Sequence, residues 1–269
     1  MAATTTSIAA NRNDRSSGAP TMSSSLRISA YQALLVIGMF LTWELLIRLE
    51  VAPVYLYGQP SGILEKGISL IRSGELFTHL GATAFESITG FVVGTTLGSL
   101  AGLTLWLSDT VARILRPIIV AINGVPKIAL APLVIVWFGV DMGAKVAIAA
   151  SLTFIVALIS VYQGTQEVDQ DLVKLMRSLG ARPLTIWRKV IVPGSTPWIL
   201  ATMRLNIGFA MIGAVVGEYI SAKKGLGYFI YNAGALYDLN SVFVGIFSLM
   251  VLALVLDVVL LKIEARFKW

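Results

Sequence analysis

Cysteine is absent and histidine occurs once, at His79. No disulfide framework can form, and no metal centre of several Cys or His ligands can be built. Charge is also scarce: 21 Lys and Arg and 15 Asp and Glu make 13% of the 269 residues, about half the ~25% of a soluble domain. No GxxxxGK[ST] run is present, so the chain lacks the loop that cradles nucleotide phosphates. No motif assembles a nucleophile, a base and an orienting acid, and one histidine offers little toward such a set. The chain is therefore expected to hold neither metal nor cofactor.

What is present is apolar. Hydrophobic residues make 56% of the chain and arrive in blocks, and a hydrocarbon core of about 30 Å needs roughly 20 of them in a helix. Six windows qualify: 28–47, 81–107, 114–140, 146–162, 197–220 and 242–261. The expected class is an all-α membrane protein with six transmembrane helices. An even count puts both termini on one side. With that side in the cytoplasm, Arg12, Arg15, Arg27, Arg113, Arg116, Lys174, Arg177, Arg182, Arg188, Lys189, Lys262, Arg266 and Lys268 lie inside, and Arg48, Lys66, Arg72, Lys145, Lys223 and Lys224 outside. This asymmetry obeys the positive-inside rule, so the net charge of +6 marks topology rather than nucleic-acid binding. Residues 1–27, rich in Ser, Thr and Ala, are expected to form a disordered cytoplasmic tail. The apolar run after them is too long for a signal-peptide core and is expected to be retained.

Several spans carry more than grease. Gly90, Gly94, Gly98 and Gly102 recur every fourth residue of the second window, leaving one helical face open to a close backbone approach, from a helix of this chain or from a second membrane subunit. In the third window Pro117, Pro126 and Pro132 surround Asn123 and Lys127. A bent helix bearing a cation at depth is either a packing kink or an element of a translocation pathway. Arg204 can snorkel to the interface or join that pathway, and Glu218 can sit at the interface or beside an outer gate. Glu44, Glu86 and Asp257 are candidates to pair with cations on neighbouring helices, and His79 reads as an interfacial residue just ahead of the second span.

Residues 163–196 separate the fourth and fifth windows by far more than a turn requires. Leu172, Leu175, Met176 and Leu179 follow helical spacing from about Glu167, acidic residues lead and Lys174 and Arg177 trail, and Gly180 fits the left-handed position that ends such a helix. Pro183 opens a second short helix with Leu184, Trp187 and Ile191 on one face, which Pro193 is expected to stop. An amphipathic pair of this kind docks on another protein or lies flat in lipid headgroups.

Gly180, nine residues, then Val190-x-Val192-Pro193 resembles half of the signature loop of binding-protein-dependent ABC transporter permeases. Lys174-Leu175-Met176 stands where that family has Glu-Ala-Ala. Pro126, Pro132 with Leu133, Trp137-Phe138-Gly139, Gly217-Glu218 and Gly225-Leu226-Gly227-Tyr228 resemble the subgroup importing nitrate, taurine and alkanesulfonates. The resemblance implies a type I ABC importer permease fold over 28–269 in a bacterial inner membrane, with the coupling segment 163–196 in the cytoplasm. It further implies two ATPase subunits holding ATP and Mg, a second permease subunit in a homodimer, and an external solute-binding protein. Leu172, Leu175, Leu179, Gly180, Ala181, Arg182 and Pro193 would meet the ATPase; Asn123, Lys127, Arg204 and Glu218 would line the pathway or gate. A proton-coupled secondary transporter and a membrane enzyme are the rival readings; the first leaves the long helical pair unexplained, and the second lacks any recognisable catalytic motif.

Overall fold

The computed structural model describes residues 22–266, all helix and connecting turns with no strand among them. In order come α1 (Met22–Arg48), α2 (Val54–Tyr57), α3 (Pro60–Ser73), α4 (Glu75–Leu105), α5 (Asp109–Gly124), a 3₁₀ turn (Lys127–Leu130), α6 (Ala131–Phe138) and α7 (Met142–Gln166). There follow α8 (Gln170–Ser178), α9 (Pro183–Ile186), a π-helical turn (Trp187–Ile191), α10 (Val192–Gly194), α11 (Thr196–Ile220), α12 (Leu226–Ala235) and α13 (Leu239–Ala265). The chain divides into two units after Val51. α1 forms the first unit and opens at Met22, inside the stretch expected as tail; residues 1–21, with Arg12 and Arg15, and Lys268 lie outside the described residues.

Among the described residues five helices are long and apolar enough to cross a membrane, and six if α5 and the segment Lys127–Phe138 count as one span. Those two pieces meet at 88°, so the third window is an elbow rather than a rod. Val125 is extended, as residues before proline prefer, and Pro126 has no N–H to continue the ladder. Pro117 sits inside α5 without ending it. The fourth window, expected to be the shortest, belongs to a helix of 25 residues that runs on past both of its ends and takes in the buried Lys145.

The centre of the second unit is α4 against α7, with α11 laid over both. The glycine stripe of α4 makes this possible. A side-chain carbon on Gly90 would meet Ala149, on Gly94 Thr153 and the Ala150 carbonyl, on Gly98 the Phe154 carbonyl and Ala157, and on Gly102 the Leu158 carbonyl. The glycine face is thus filled by α7 of the same chain. Thr153 uses the closeness to donate to the Gly90 carbonyl at 3.2 Å, and Asn206 of α11 donates to Thr95 at 2.9 Å and to the Thr153 carbonyl at 3.0 Å. Backbones this near supply the dispersion contact that holds helices together where lipid removes the hydrophobic drive.

Candidate functional site

The first polar constellation lies at the end of the bundle where α4 stops and α11 starts. Asp169 caps α8 by accepting the Asp171 amide at 2.8 Å. The helix ends by donating the Gly180 amide to the Arg177 carbonyl (2.9 Å) and the Ala181 amide to the Met176 carbonyl (3.0 Å), with Gly180 at φ +75°. This is the Schellman termination, and the left-handed residue it needs is the glycine. Val168, Val173, Ile186 and Ile191 form a small core under the segment, with Met176, Ala181, Trp187 and Trp106 packed on it. The Trp187 indole N–H reaches the Leu103 carbonyl at 2.9 Å, which fixes the segment to the last turn of α4.

The expected apolar stripe therefore splits. Met176 turns inward, whereas Leu172, Leu175 and Leu179 stay 49%, 55% and 73% exposed. Arg182, exposed, sits extended ahead of α9. Pro193 does not stop the second helix. The π turn donates the Val192 amide to the Trp187 carbonyl, one residue beyond the α-helical partner. The widened turn accommodates the proline ring, and the helical path continues through α10 toward α11. Ile186, not Leu184, is the buried partner of Ile191; Leu184 is exposed.

The second constellation lies at the other end, about 30 Å away along α4 at 1.5 Å per residue. The first amides of α12 have no partners within the helix, and three side chains of the bundle meet them. Gly225 donates to His79 Nδ1 at 3.1 Å, Leu226 to Thr83 Oγ1 at 2.7 Å and Gly227 to Glu218 Oε2 at 2.6 Å. The Thr83 hydroxyl donates in turn to Glu218 Oε1 at 2.7 Å. Glu86 is buried nearby with Lys145 Nζ 3.9 Å from its Oε1, and its Oε2 has no hydrogen-bond partner. Side-chain carbons on Gly225 or Gly227 would run into the Glu218 carboxylate.

Glu218 is thus a fully buried acceptor instead of an interfacial acid, and His79 lies within α4, 5.3 Å in ring separation from Phe229. Reading the chain by windows missed His79, Thr83, Glu86 and Lys145 as a group. The available signal was their spacing on α4: 79, 83, 86 and 90 follow one face, that of the glycines.

The third feature is the elbow. Lys127 Nζ contacts Asn123 Oδ1 at 3.0 Å and the Asn123 carbonyl at 3.5 Å, so these two candidates come together. Beside them a cavity of about 460 Å³ opens between α5 and α7. Arg204 stands apart from Lys127 and Glu218 and donates through Nε to Glu264 of α13 at 2.7 Å. Among the remaining acids, Glu86 has its cation on a neighbouring helix, and Glu44 pairs with Arg48 of its own helix at 2.8 Å.

Closely packed apolar helices, long enough to cross a membrane and with polar groups clustered at both ends and at the elbow, define a multi-pass membrane subunit. The chain belongs to the family of binding-protein-dependent transport system inner membrane components, whose model matches residues 94–269. Among its relatives, the formylaminopyrimidine transport permease protein ThiX of Halalkalibacterium halodurans is 33% identical over 239 residues, covering 87% of this chain and 95% of that one. The putative aliphatic sulfonates transport permease protein SsuC of Escherichia coli is 32% identical over 224 residues, covering 83% and 85%. A chain of the MetNI methionine ABC transporter, inward facing, superposes with a TM-score of 0.59 at 20% identity, over 74% of this chain and 96% of that one; this likeness concerns the fold. The protein is a permease component of an ABC importer, and the secondary-transporter and enzyme readings have no support among these relatives.

Proposed function

We propose that the chain imports a small anion, such as nitrate, taurine or an organosulfonate, by alternating access. Two copies would form the membrane path, two ATPase subunits binding ATP and Mg would drive it, and an extracytoplasmic binding protein would deliver the cargo. The α8–α10 end would face the cytoplasm, as would both termini. The charge distribution supports this: Arg113, Lys174, Arg177, Arg182, Arg188 and Lys189 cluster at that end, against Lys66, Arg72, Lys223 and Lys224 at the other.

One observation carries the reading. α8 is held rigidly from below by a buried core and by the Trp187–Leu103 bond, yet presents Leu172, Leu175 and Leu179 outward at a fixed glycine bend. A stiff support bearing exposed leucines suits force transfer to an ATPase subunit and suits poorly a helix resting in headgroups, whose apolar face sinks into lipid. Anionic cargo is supported by Lys127 at the elbow and by the sulfonate relatives.

The test uses the absence of native cysteine. Leu179→Cys in the assembled importer is expected to cross-link to the ATPase subunit, and proteoliposome uptake to require ATP. Uptake driven by a proton gradient without ATP would overturn the reading, as would a Leu179→Cys that never cross-links through turnover.

A further inference from the structure

The cavity at the elbow has a chemistry of its own. Its polar lining comes from Arg116 and Asn123, seven residues apart on one face of α5, and from Tyr162, Gln163, Gln166 and Glu167 at the end of α7. It adjoins a second, apolar cavity of about 550 Å³, with which it shares Leu105, Ile119 and Leu158. The polar side chains belong to the first of the two, which reaches from Asn123 on α5 to Glu167 at the end of α7.

Arg116 lies seven residues into α5, about 10 Å from its start, and its guanidinium has neither a hydrogen bond nor an ion pair among the described residues. Arg116 is exposed at the mouth of the cleft, and a permanently charged group there with no protein partner faces water or a ligand. The surrounding groups donate. Lys127 occupies Asn123 Oδ1, which leaves the Asn123 amide N–H groups to donate, an assignment fixed by that contact. The Tyr162 hydroxyl and the Gln163 amide also make no side-chain hydrogen bond among the described residues. Glu167, the one carboxylate, stands at the rim where it ends α7. A planar five-donor fork with neutral donors around it matches the oxygens of a small oxyanion.

We propose that Arg116, Asn123, Tyr162 and Gln163 form an inner subsite for a small oxyanion of sulfonate or carboxylate type, occupied by cargo after it passes the elbow. The assignment rests on the importer reading above and adds the residues that hold the anion in the half of the path nearest α8. Lys127 acts at one remove, by orienting the Asn123 amide.

The test is Gln166→Cys, a single thiol at the recess in an otherwise cysteine-free chain, in the assembled importer reconstituted in phosphatidylcholine. It is labelled with the sulfonatoethyl and the trimethylammonioethyl methanethiosulfonates, each rate normalised to a free thiol. The anionic reagent is expected to be favoured ~10-fold; Arg116→Gln should bring the ratio to about one and Arg116→Lys should keep it. Ethanesulfonate should slow labelling by neutral N-ethylmaleimide, and choline should not. Three results would overturn the subsite: equal labelling by both charged reagents, no protection by ethanesulfonate, or protection that appears only when phosphatidylglycerol is added, which would assign the guanidinium to a lipid headgroup. ATP dependence of uptake is measured separately, so failure of the subsite and failure of the importer reading are distinguishable.

Discussion

Glu218 Oε2 accepts the Gly227 amide at 2.6 Å while its Oε1 accepts the Thr83 hydroxyl at 2.7 Å. One buried carboxylate of α11 therefore binds the start of α12 and the flank of α4 at once. With His79 on Gly225, it adds hydrogen bonds at the start of a short helix that also buries Leu226, Ile230 and Ala233.

Replacing Glu218 by Ala removes both acceptors and leaves the buried Gly227 amide unmatched, at about 1–3 kcal/mol, and leaves the Thr83 hydroxyl only the His79 carbonyl at 3.3 Å. The thermal unfolding midpoint in detergent should fall, and protease cleavage between 221 and 226 should accelerate. Glu218→Gln, which keeps one acceptor, should fall less. An unchanged midpoint for Glu218→Ala would show that the clasp contributes nothing.

Gly94→Leu should block assembly of α4 on α7, since even its first side-chain carbon would collide with Thr153 and the Ala150 carbonyl. Overpacking of this kind costs about 1–3 kcal/mol or more. The control is Gly81→Ala, which meets nothing within 4 Å and should be neutral or stabilising by up to about 1 kcal/mol, as alanine favours helix. Yield of monodisperse protein after extraction reads both.

Gly180→Val also meets no neighbour within 4 Å, so its effect should be conformational alone. A β-branched residue at φ +75° costs on the order of 1–2 kcal/mol, and the Schellman end should unwind. Membrane insertion should persist while ATP-dependent uptake drops. Uptake equal to the parent would separate the bend from transport.

Lys127→Met should lower uptake of an anionic cargo and Lys127→Arg should retain most of it, if the elbow cation favours anions. Retention of full uptake by the methionine variant in proteoliposomes would remove Lys127 from the path.

Asp238 caps α13 outside the membrane span, taking the Ser241 amide at 3.1 Å and hydroxyl at 2.6 Å with Lys66 at 3.5 Å. Burial alone would raise its pKa, but the Ser241 hydrogen bonds and the Lys66 ammonium outweigh it and hold the carboxyl below its ordinary 3.8. A depressed folded pKa contributes stability above the unfolded pKa and loses it as pH falls through the folded one. Thermal midpoints should therefore decline only below about pH 4 on this account, less steeply in Asp238→Asn. Partial exposure of the pair keeps the effect small. A parent and an Asn variant with superimposable acid profiles would refute it.

Much of this was legible from local pattern. Twenty-odd apolar residues in a row are a span whatever their neighbours, a glycine after Leu172, Leu175 and Leu179 ends a helix, and four glycines at fourfold spacing announce a close helix partner. The resemblance of 180–193 to the family's loop also depends only on spacing along the chain. Each of these follows from the period of a helix or from the conformational freedom of one residue, and needs no knowledge of what lies across the bundle.

The tertiary structure decided the rest, because it turns on which groups meet. Sequence alone left the glycine face with two possible partners, and α7 fills it. Pro193 looked like a terminator until the π turn upstream made room for its ring, and the bend expected from the prolines of the third span became an 88° turn at Val125 and Pro126. Lys145 looked like a charge outside the spans, and Glu218 like an interfacial acid or one beside an outer gate. They are buried because donors and a carboxylate arrive from α4 and α12, more than 50 residues away in the chain for every pair except Glu218 with Gly227. Apolar burial is a property each residue carries in its own side chain, whereas a buried polar group is tolerated only when the fold delivers its partner.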